Sequence, residues 1–220
     1  MDLLATLIDF VLHLDRHLVE LLVRYDVWIY AILFLIVFAE TGFVVTPFLP
    51  GDSLLFAVGA LAAVDSSGTL NVHLVALLLV TAAILGNTTN YQVGHWIGPP
   101  AFSGKYRLLK VQYLRQAEGY FTKYGATTIL ISRFVPILRT VAPFVAGVAR
   151  MPYMRFQGFS IVGALLWVVL LLYAGYFFGN IPLVRNNFSL VTIGIIIVSL
   201  VPVLVTVVRA RSDAARSPAA

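Results

Sequence analysis

The chain has 220 residues, of which 60% are hydrophobic and only 11% are charged, a composition well outside that of soluble globular domains. It contains no cysteine, which excludes disulfide bonds and thiolate metal sites. The net charge of +5 can indicate a nucleic-acid-binding protein, but most of the basic residues flank apolar segments, as they do in membrane proteins. We therefore expect an integral membrane protein that does not bind nucleic acid.

Residues 1–26 are predicted to form an amphipathic helix at the membrane interface. They carry five acids and two arginines, a density of charge that does not fit a transmembrane span. Nor does it fit the basic start of a cleavable signal peptide, so we expect this segment to be retained. Polar side chains recur at helical spacings of three and four, at Asp9, His13, Arg16, His17, Glu20 and Arg24.

Three longer apolar segments, 69–98, 156–179 and 187–208, are expected to span the membrane. The linker 99–124 has five Lys and Arg residues against one acid, and the tail 209–220 has three arginines against one acid. Because positive charge accumulates on the cytoplasmic side, both the linker and the tail are predicted to be cytoplasmic.

The apolar segment 126–148 cannot cross the membrane in this topology. The two predicted spans that follow it already lead out of the cytoplasm and back to a cytoplasmic tail. Both ends of the segment must then face the cytoplasm, which predicts a re-entrant hairpin with a turn near Pro136 to Pro143.

The segment 27–61 is predicted to be a second re-entrant hairpin that enters from the outside, with its turn between Gly42 and Gly51. Two opposed hairpins broken by proline and glycine are typical of the inverted repeats of secondary transporters. The predicted fold is therefore an all-α integral membrane protein with a single membrane domain. The residues expected to form or support the turns are Gly42, Pro47, Pro50, Gly51, Pro136, Pro143 and Gly147.

Two acids, Glu40 and Asp52, border the first predicted turn inside apolar sequence. Charged groups at membrane depth usually face a cavity or a partner, and a buried carboxyl group can change its protonation state near neutral pH. Both acids are therefore candidates for proton coupling. The alternatives are a purely structural pairing with arginine and, for Asp52, a role as a helix cap.

Arg133 and Arg139 are candidates for binding a phosphate group. They are six residues apart, and a break at Pro136 would turn both toward one cavity. A guanidinium group can bind two phosphate oxygens at once through two N–H donors, and it keeps its charge when it is desolvated. The alternative is that these side chains extend to the cytoplasmic interface.

Pairs of glycines and the histidines give weaker signals. Gly94 and Gly98, like Gly175 and Gly179, are four residues apart, which indicates close helix packing. The four histidines form no set of metal ligands beyond a helical pair near the N-terminus. We expect no metal and no cofactor, and an interfacial position for His95.

Taken together, these motifs resemble the DedA family, which is related to the VTT-domain proteins of eukaryotes, and most of all its enterobacterial-type members. The resemblance implies an inner-membrane protein of bacteria with paired re-entrant hairpins, which moves phosphorylated lipid carriers such as undecaprenyl phosphate and depends on the proton-motive force. It also implies that the acids and arginines matching Glu40, Asp52, Arg133 and Arg139 are required. The chain departs from the family pattern at Asn87 and His95, where many members have an acid and an arginine. The motifs that carry the resemblance are 38–42, 47–52, 86–98 with Tyr91, 123–125, 133–139 with Pro143 and Gly147, Trp167, and 175–179.

The function that we predict from the sequence is that of a flippase for a polyprenyl phosphate, not of an enzyme. Its partners would be membrane lipids and the polyprenyl phosphate, and assembly into a homo-oligomer is left open. A proton-coupled exporter of small cations or drugs is the alternative. A lipid phosphatase ranks last because no histidine is placed as a nucleophile beside a second histidine.

Overall fold

The computed structural model describes residues 27–43, 51–65, 68–100, 111–179 and 181. Within these ranges the chain forms α-helices and a short 3-10 turn, and no strand, which confirms the all-α class. The helix predicted at 1–26, the span at 187–208, the tail, and Pro47 and Pro50 lie outside the described residues. The helices are α1 (Trp28–Gly42), α2 (Gly51–Val64), α3 (Val72–Ile97), α4 (Val111–Tyr124), α5 (Thr128–Ser132), α6 (Pro136–Val148) and α7 (Tyr153–Gly179), with the 3-10 turn at Gly125–Thr127.

The helices α3 and α7 are long and apolar enough to cross a membrane, with 26 and 27 residues. They are antiparallel. His73 near the start of α3 bonds Tyr173 near the end of α7, whereas Asn87 in the second half of α3 bonds Ser160 near the start of α7. The side chain of Asn71 caps α3 by accepting from the amides of the next turn.

The short helices α1 and α2 meet beside the middle of this long pair. Tyr30, near the start of α1, bonds the segment just before α3, and Gly42 at the end of α1 lies against Gly86, near the middle of α3. The first residue of α2, Gly51, lies against the side chain of Glu40. From there α2 packs along α7.

The helices α5 and α6 also meet beside the middle of the long pair, but they approach from its other end. The break between them lies at 133–135, and Pro136 is the first residue of α6, a position where a missing N–H costs nothing. The expected turn from Pro136 to Pro143 is corrected, since Pro143 lies inside α6. Its missing N–H leaves the carbonyl of Arg139 without the usual helical donor.

The basic linker contains a helix, α4, that we did not predict. Leu114 and Ala117 are buried against Leu138 and Phe144 of α6. The polar face of α4 contributes exposed residues such as Arg115, so α4 is an amphipathic helix that packs by a narrow apolar face.

Glycines bring two helix pairs into backbone contact in the same way. A Cβ on Gly59 of α2 would lie 1.9 Å from the carbonyl oxygen of Leu172, and a Cβ on Gly175 of α7 would lie 2.0 Å from that of Phe56. Between α6 and α3 the same reciprocal arrangement occurs. A Cβ on Gly147 would lie 2.0 Å from the carbonyl oxygen of Tyr91, and a Cβ on Gly94 would lie 2.1 Å from that of Phe144.

The expected close packing is therefore confirmed for Gly94 and Gly175, and also for Gly179, which lies against Ala60. Gly98 differs, because it has a φ of +66°, and among the described residues no neighbouring helix lies within 4 Å of the position that its Cβ would take. It ends α3 in a conformation that glycine adopts without strain.

Candidate functional site

The structure places Arg139 of α6 between the two predicted acids. Its Nη2 donates to Oε1 of Glu40 at the end of α1, and its Nη1 lies 2.5 Å from Oδ1 of Asp52 at the start of α2. Glu40 is fully buried and Arg139 is 4% exposed, while the side chain of Asp52 is 21% exposed. This ion-pair cluster ties the ends of α1 and α2 to α6.

Trp167, near the middle of α7, forms one wall of the cluster. Its Nε1 donates to Oδ1 of Asp52 over 2.8 Å. Its ring lies 4.8 Å from Cζ of Arg139 and 5.8 Å from Cζ of Arg133, within the range of cation–π attraction. The break before Pro136 therefore does bring both arginines to one place, against one indole.

Arg133 differs from Arg139 in its partners. Its side chain is only 2% exposed, yet its Nη1 and Nη2 have no hydrogen-bond partner in the described part of the chain. Its stem packs on Gly163, where an added Cβ would lie 3.2 Å from Cγ of Arg133. The guanidinium group is thus buried, its terminal nitrogens are unpaired among the described residues, and it does not extend to an exposed interface.

The carboxylate of Glu40 packs on the N-terminus of α2. A Cβ on Gly51 would lie 1.9 Å from Oε2 of Glu40, so a larger residue at this position would displace the carboxylate from its present place. The partial positive charge of a helix N-terminus favours an anion there. Besides its expected role in a turn, Gly51 therefore leaves space in the site for the carboxylate of Glu40.

Asp52 is the second residue of α2, and its carboxylate accepts from Arg139 and Trp167. Structural pairing with arginine, one of our alternatives, is thus observed for both acids, with Arg139 as the partner in each case. We did not predict this shared partner. Proton coupling and pairing remain compatible, because an ion pair can be broken by protonation.

Two asparagines of α3 also belong to the site. Nδ2 of Asn90 donates to the backbone oxygens of Thr41 over 3.2 Å and of Thr140 over 2.7 Å, so it connects the neighbours of Glu40 and Arg139. Nδ2 of Asn87 donates to Oγ of Ser160 on α7 over 2.8 Å. Both asparagines are buried. The signal in the sequence was a polar run, 87–91, inside an apolar span.

His95 lies outside this cluster. It is exposed and stacks on Tyr91 with ring centroids 6.0 Å apart, while the hydroxyl of Tyr91 donates to the backbone oxygen of Met151. In the ranges that the structure describes, no group of three or more His, Cys, Asp or Glu residues is arranged to hold a metal ion.

The cluster can attract an anion because its charges are distributed unevenly. Two carboxylates and two guanidinium groups balance formally, but both carboxylates bond Arg139. Arg133 therefore presents two unpaired donors in a water-poor interior, where a charge-assisted bidentate contact is strong.

Comparison with known proteins gives consistent results. The family model of the VTT domain matches residues 49–177. The chain is 51% identical over 218 residues to Protein DedA of Escherichia coli (strain K12), covering 99% of each chain. It is 43% identical over 187 residues to the uncharacterized membrane protein Rv0364 of Mycobacterium tuberculosis, covering 83% of this chain and 82% of that one. It is 38% identical over 155 residues to the inner membrane protein YqjA of E. coli (strain K12), covering 70% and 69%. No solved structure matches the chain.

Proposed function

Since this chain belongs to the DedA family of VTT-domain membrane proteins and is an inner-membrane protein, we propose that it is a flippase for a phosphorylated lipid carrier. The proposed substrate is undecaprenyl phosphate or a related polyprenyl phosphate. The phosphate would cross through the protein while the tail stays in the lipid. Two of the relatives named above have names that describe membrane proteins, and the role that we propose is transport without chemistry.

The observation that carries this proposal is the buried, unpaired guanidinium group of Arg133. An uncompensated cation at membrane depth is costly, and such residues commonly mark the path of a substrate. Arginine offers a planar pair of donors that fits two phosphate oxygens. Arg139, which contacts the same indole ring of Trp167, would add a second cation once the phosphate competes with Glu40 and Asp52 for it.

The positions of the short helices support a transport path. The pairs α1–α2 and α5–α6 each meet beside the middle of α3 and α7, from opposite ends of these helices. In our proposal each pair is a re-entrant hairpin whose tip reaches the site from one face of the membrane. Broken helices at that depth are tolerated where they line a polar cavity, and opposed repeats permit access from alternate sides.

Glu40 and Asp52 would couple transport to protons. While both carboxylates bond Arg139, this arginine is neutralised, and Arg133, whose terminal nitrogens have no partner among the described residues, would receive the phosphate first. Protonation of either acid would weaken its bond to Arg139 and make that guanidinium group available to the substrate. Proton movement down its gradient would then favour one direction of exchange.

Export of small cations is less well supported. A cation would need carboxylate oxygens as ligands, but Oε1 of Glu40 and Oδ1 of Asp52 are both bonded to Arg139. The positive charge of Arg133 beside them would also repel a cationic substrate.

Transport can be measured with purified protein in vesicles that contain fluorescently labelled undecaprenyl phosphate, with and without a pH gradient. We expect the wild type to accelerate movement of the lipid between leaflets. The rate with Arg133→Lys should be lower by about tenfold or more, because lysine cannot make the bidentate contact. Arg155→Lys is the matched control, since Arg155 is an exposed residue of α7. Wild-type protein that moves no lipid would contradict the flippase function. An Arg133→Lys variant with full activity would contradict bidentate recognition.

A further inference from the structure

The site contains six buried side-chain atoms that lack a hydrogen-bond partner among the described residues. Three of them are donors, namely Nη1 and Nη2 of Arg133 and Nε of Arg139. The other three are acceptors, namely Oε2 of Glu40, Oδ1 of Asn87 and Oδ1 of Asn90. Buried polar atoms are nearly always paired in folded proteins, so a ligand that satisfies this site must both accept and donate.

The orientation of the Asn90 amide is fixed by its neighbours. Both of its hydrogen bonds go to backbone carbonyl oxygens, those of Thr41 and Thr140, and a carbonyl oxygen can only accept. Nδ2 must therefore point at them, and Oδ1 points elsewhere as an acceptor. Asn87 lies one turn earlier on the same face of α3 and donates from Nδ2 to the hydroxyl of Ser160. Because a hydroxyl can both donate and accept, the amide of Asn87 can turn either group toward a ligand, and in this arrangement it offers Oδ1.

The acceptors border the same interior space as Arg133. Asn87 bonds Ser160, and Arg133 packs on Gly163, one turn farther along the same face of α7. Trp167 follows after another turn and contacts both arginines. The side chain of Arg133 and the amide group of Asn87 thus contact consecutive turns of one face of α7.

We propose that this site selects a phosphate monoester in its singly protonated form, with phosphate oxygens accepting from Arg133 and the P–O–H donating to the amide oxygens of the Asn87–Asn90 pair. This inference rests on the proposed function and specifies the chemistry of its ligand. A fully ionised phosphate or a phosphodiester has acceptors only, and would place an oxygen lone pair against each amide oxygen. A hydrogen phosphate can bond both the unsatisfied donors and the unsatisfied acceptors of the site. The substrate itself then carries a proton through the membrane.

A matched pair of lipids tests this inference. Polyprenyl phosphate is compared with polyprenyl fluorophosphate, in which fluorine replaces one phosphate oxygen. The fluorophosphate keeps a single negative charge and nearly the same size but has no P–O–H. In vesicles containing wild-type protein, we expect the phosphate to move about tenfold faster than the fluorophosphate, which corresponds to about 1.4 kcal/mol and is typical of one hydrogen bond.

The variant Asn87→Leu removes the Oδ1 acceptor, together with the Nδ2 donor to Ser160, at nearly constant volume. We expect it to slow the phosphate and not the fluorophosphate, so that the ratio of their rates falls toward one. Gln92→Leu is the control, because Gln92 is an exposed amide on the same helix, and it should keep the wild-type ratio.

The outcomes separate this inference from the proposed function. Equal rates for the two lipids with wild-type protein would overturn selection of the protonated form and leave the flippase function intact. If neither lipid moves faster than in protein-free vesicles, the flippase function fails and this inference fails with it. A wild-type ratio in a folded Asn87→Leu variant would overturn the role of the Asn87 amide oxygen. Should that variant not fold, the comparison of the two lipids with wild-type protein still decides the question.

Discussion

Replacing Arg139 by methionine is expected to destabilise the protein much more than the same replacement at Arg133. The two side chains are buried to a similar degree, at 4% and 2% exposure, and both lie against Trp167. They differ in their partners. Arg139 holds two carboxylates, whereas the terminal nitrogens of Arg133 have no partner in the described part of the chain.

The size of the difference follows from these contacts. Arg139→Met leaves two carboxylates close together without their cation, and breaking a buried ion pair in this way costs about 3 to 5 kcal/mol. For a chain of this length that corresponds to roughly 6 to 20 °C in the melting temperature. Arg133→Met removes unsatisfied donors that cost about 1 to 3 kcal/mol when buried. It also removes a contact with the indole worth about 0.5 to 2 kcal/mol, so the two effects nearly cancel.

The assay is thermal unfolding of detergent-purified protein, followed by intrinsic tryptophan fluorescence and combined with transport in vesicles. We expect Arg139→Met to melt well below the wild type and Arg133→Met to melt near or above it, with transport lost in both. Arg155→Met, at an exposed site, controls for loss of a surface arginine. If Arg133→Met and Arg139→Met lower the melting temperature equally, Arg133 has a structural partner and our argument that it is free for substrate is wrong.

Three further predictions address the acids, the helix contacts and the topology. Glu40→Gln should remain folded, because Asp52 still bonds Arg139, but it should change the pH dependence of transport; an unchanged pH profile would remove Glu40 from coupling. Gly175→Ala should lower the melting temperature sharply, since its Cβ would lie 2.0 Å from a backbone oxygen of α2, whereas Gly158→Ala on the same helix has no atom within 4 Å and should be neutral. Single cysteines replacing Lys123 and Ala149 should be labelled by a membrane-impermeant maleimide from the same side of the membrane, and labelling from opposite sides would exclude a re-entrant α5–α6 pair.

Features that depend on local composition could be predicted from the sequence. Long apolar segments predicted the helices α3 and α7, because burying backbone in lipid requires a continuous helix of about 20 residues. Charges inside apolar sequence identified Glu40, Asp52, Arg133 and Arg139 as candidates, because such charges are too costly to occur without a partner or a function.

Features that depend on tertiary contacts were missed or wrong. The sequence did not indicate that one arginine would take both acids, since the partners of Arg139 are 99 and 87 residues away. It placed Pro143 at a turn, although proline inside a membrane helix is tolerated when neighbouring groups compensate. It also missed α4, because the many charges in 99–124 outweighed the apolar positions at Leu114 and Ala117.

An arginine whose terminal nitrogens have no partner in the described part of the chain, beside one whose terminal nitrogens bond two carboxylates, suggests how a single site can hold and release an anion. If both arginines were neutralised by carboxylates, a phosphate would have to displace two ion pairs before it gained any contact. If neither were neutralised, the excess charge would make the empty site very unstable and would retain the phosphate too strongly for transport. In the observed site one arginine is neutralised by carboxylates and the other is not. Arg133 then provides the first contact with the phosphate at little cost. Arg139 provides a second contact, whose strength depends on the protonation of Glu40 and Asp52 because both acids bond this arginine. The stability lost by burying Arg133 without a partner is then a consequence of function, as is common where binding sites depart from optimal packing.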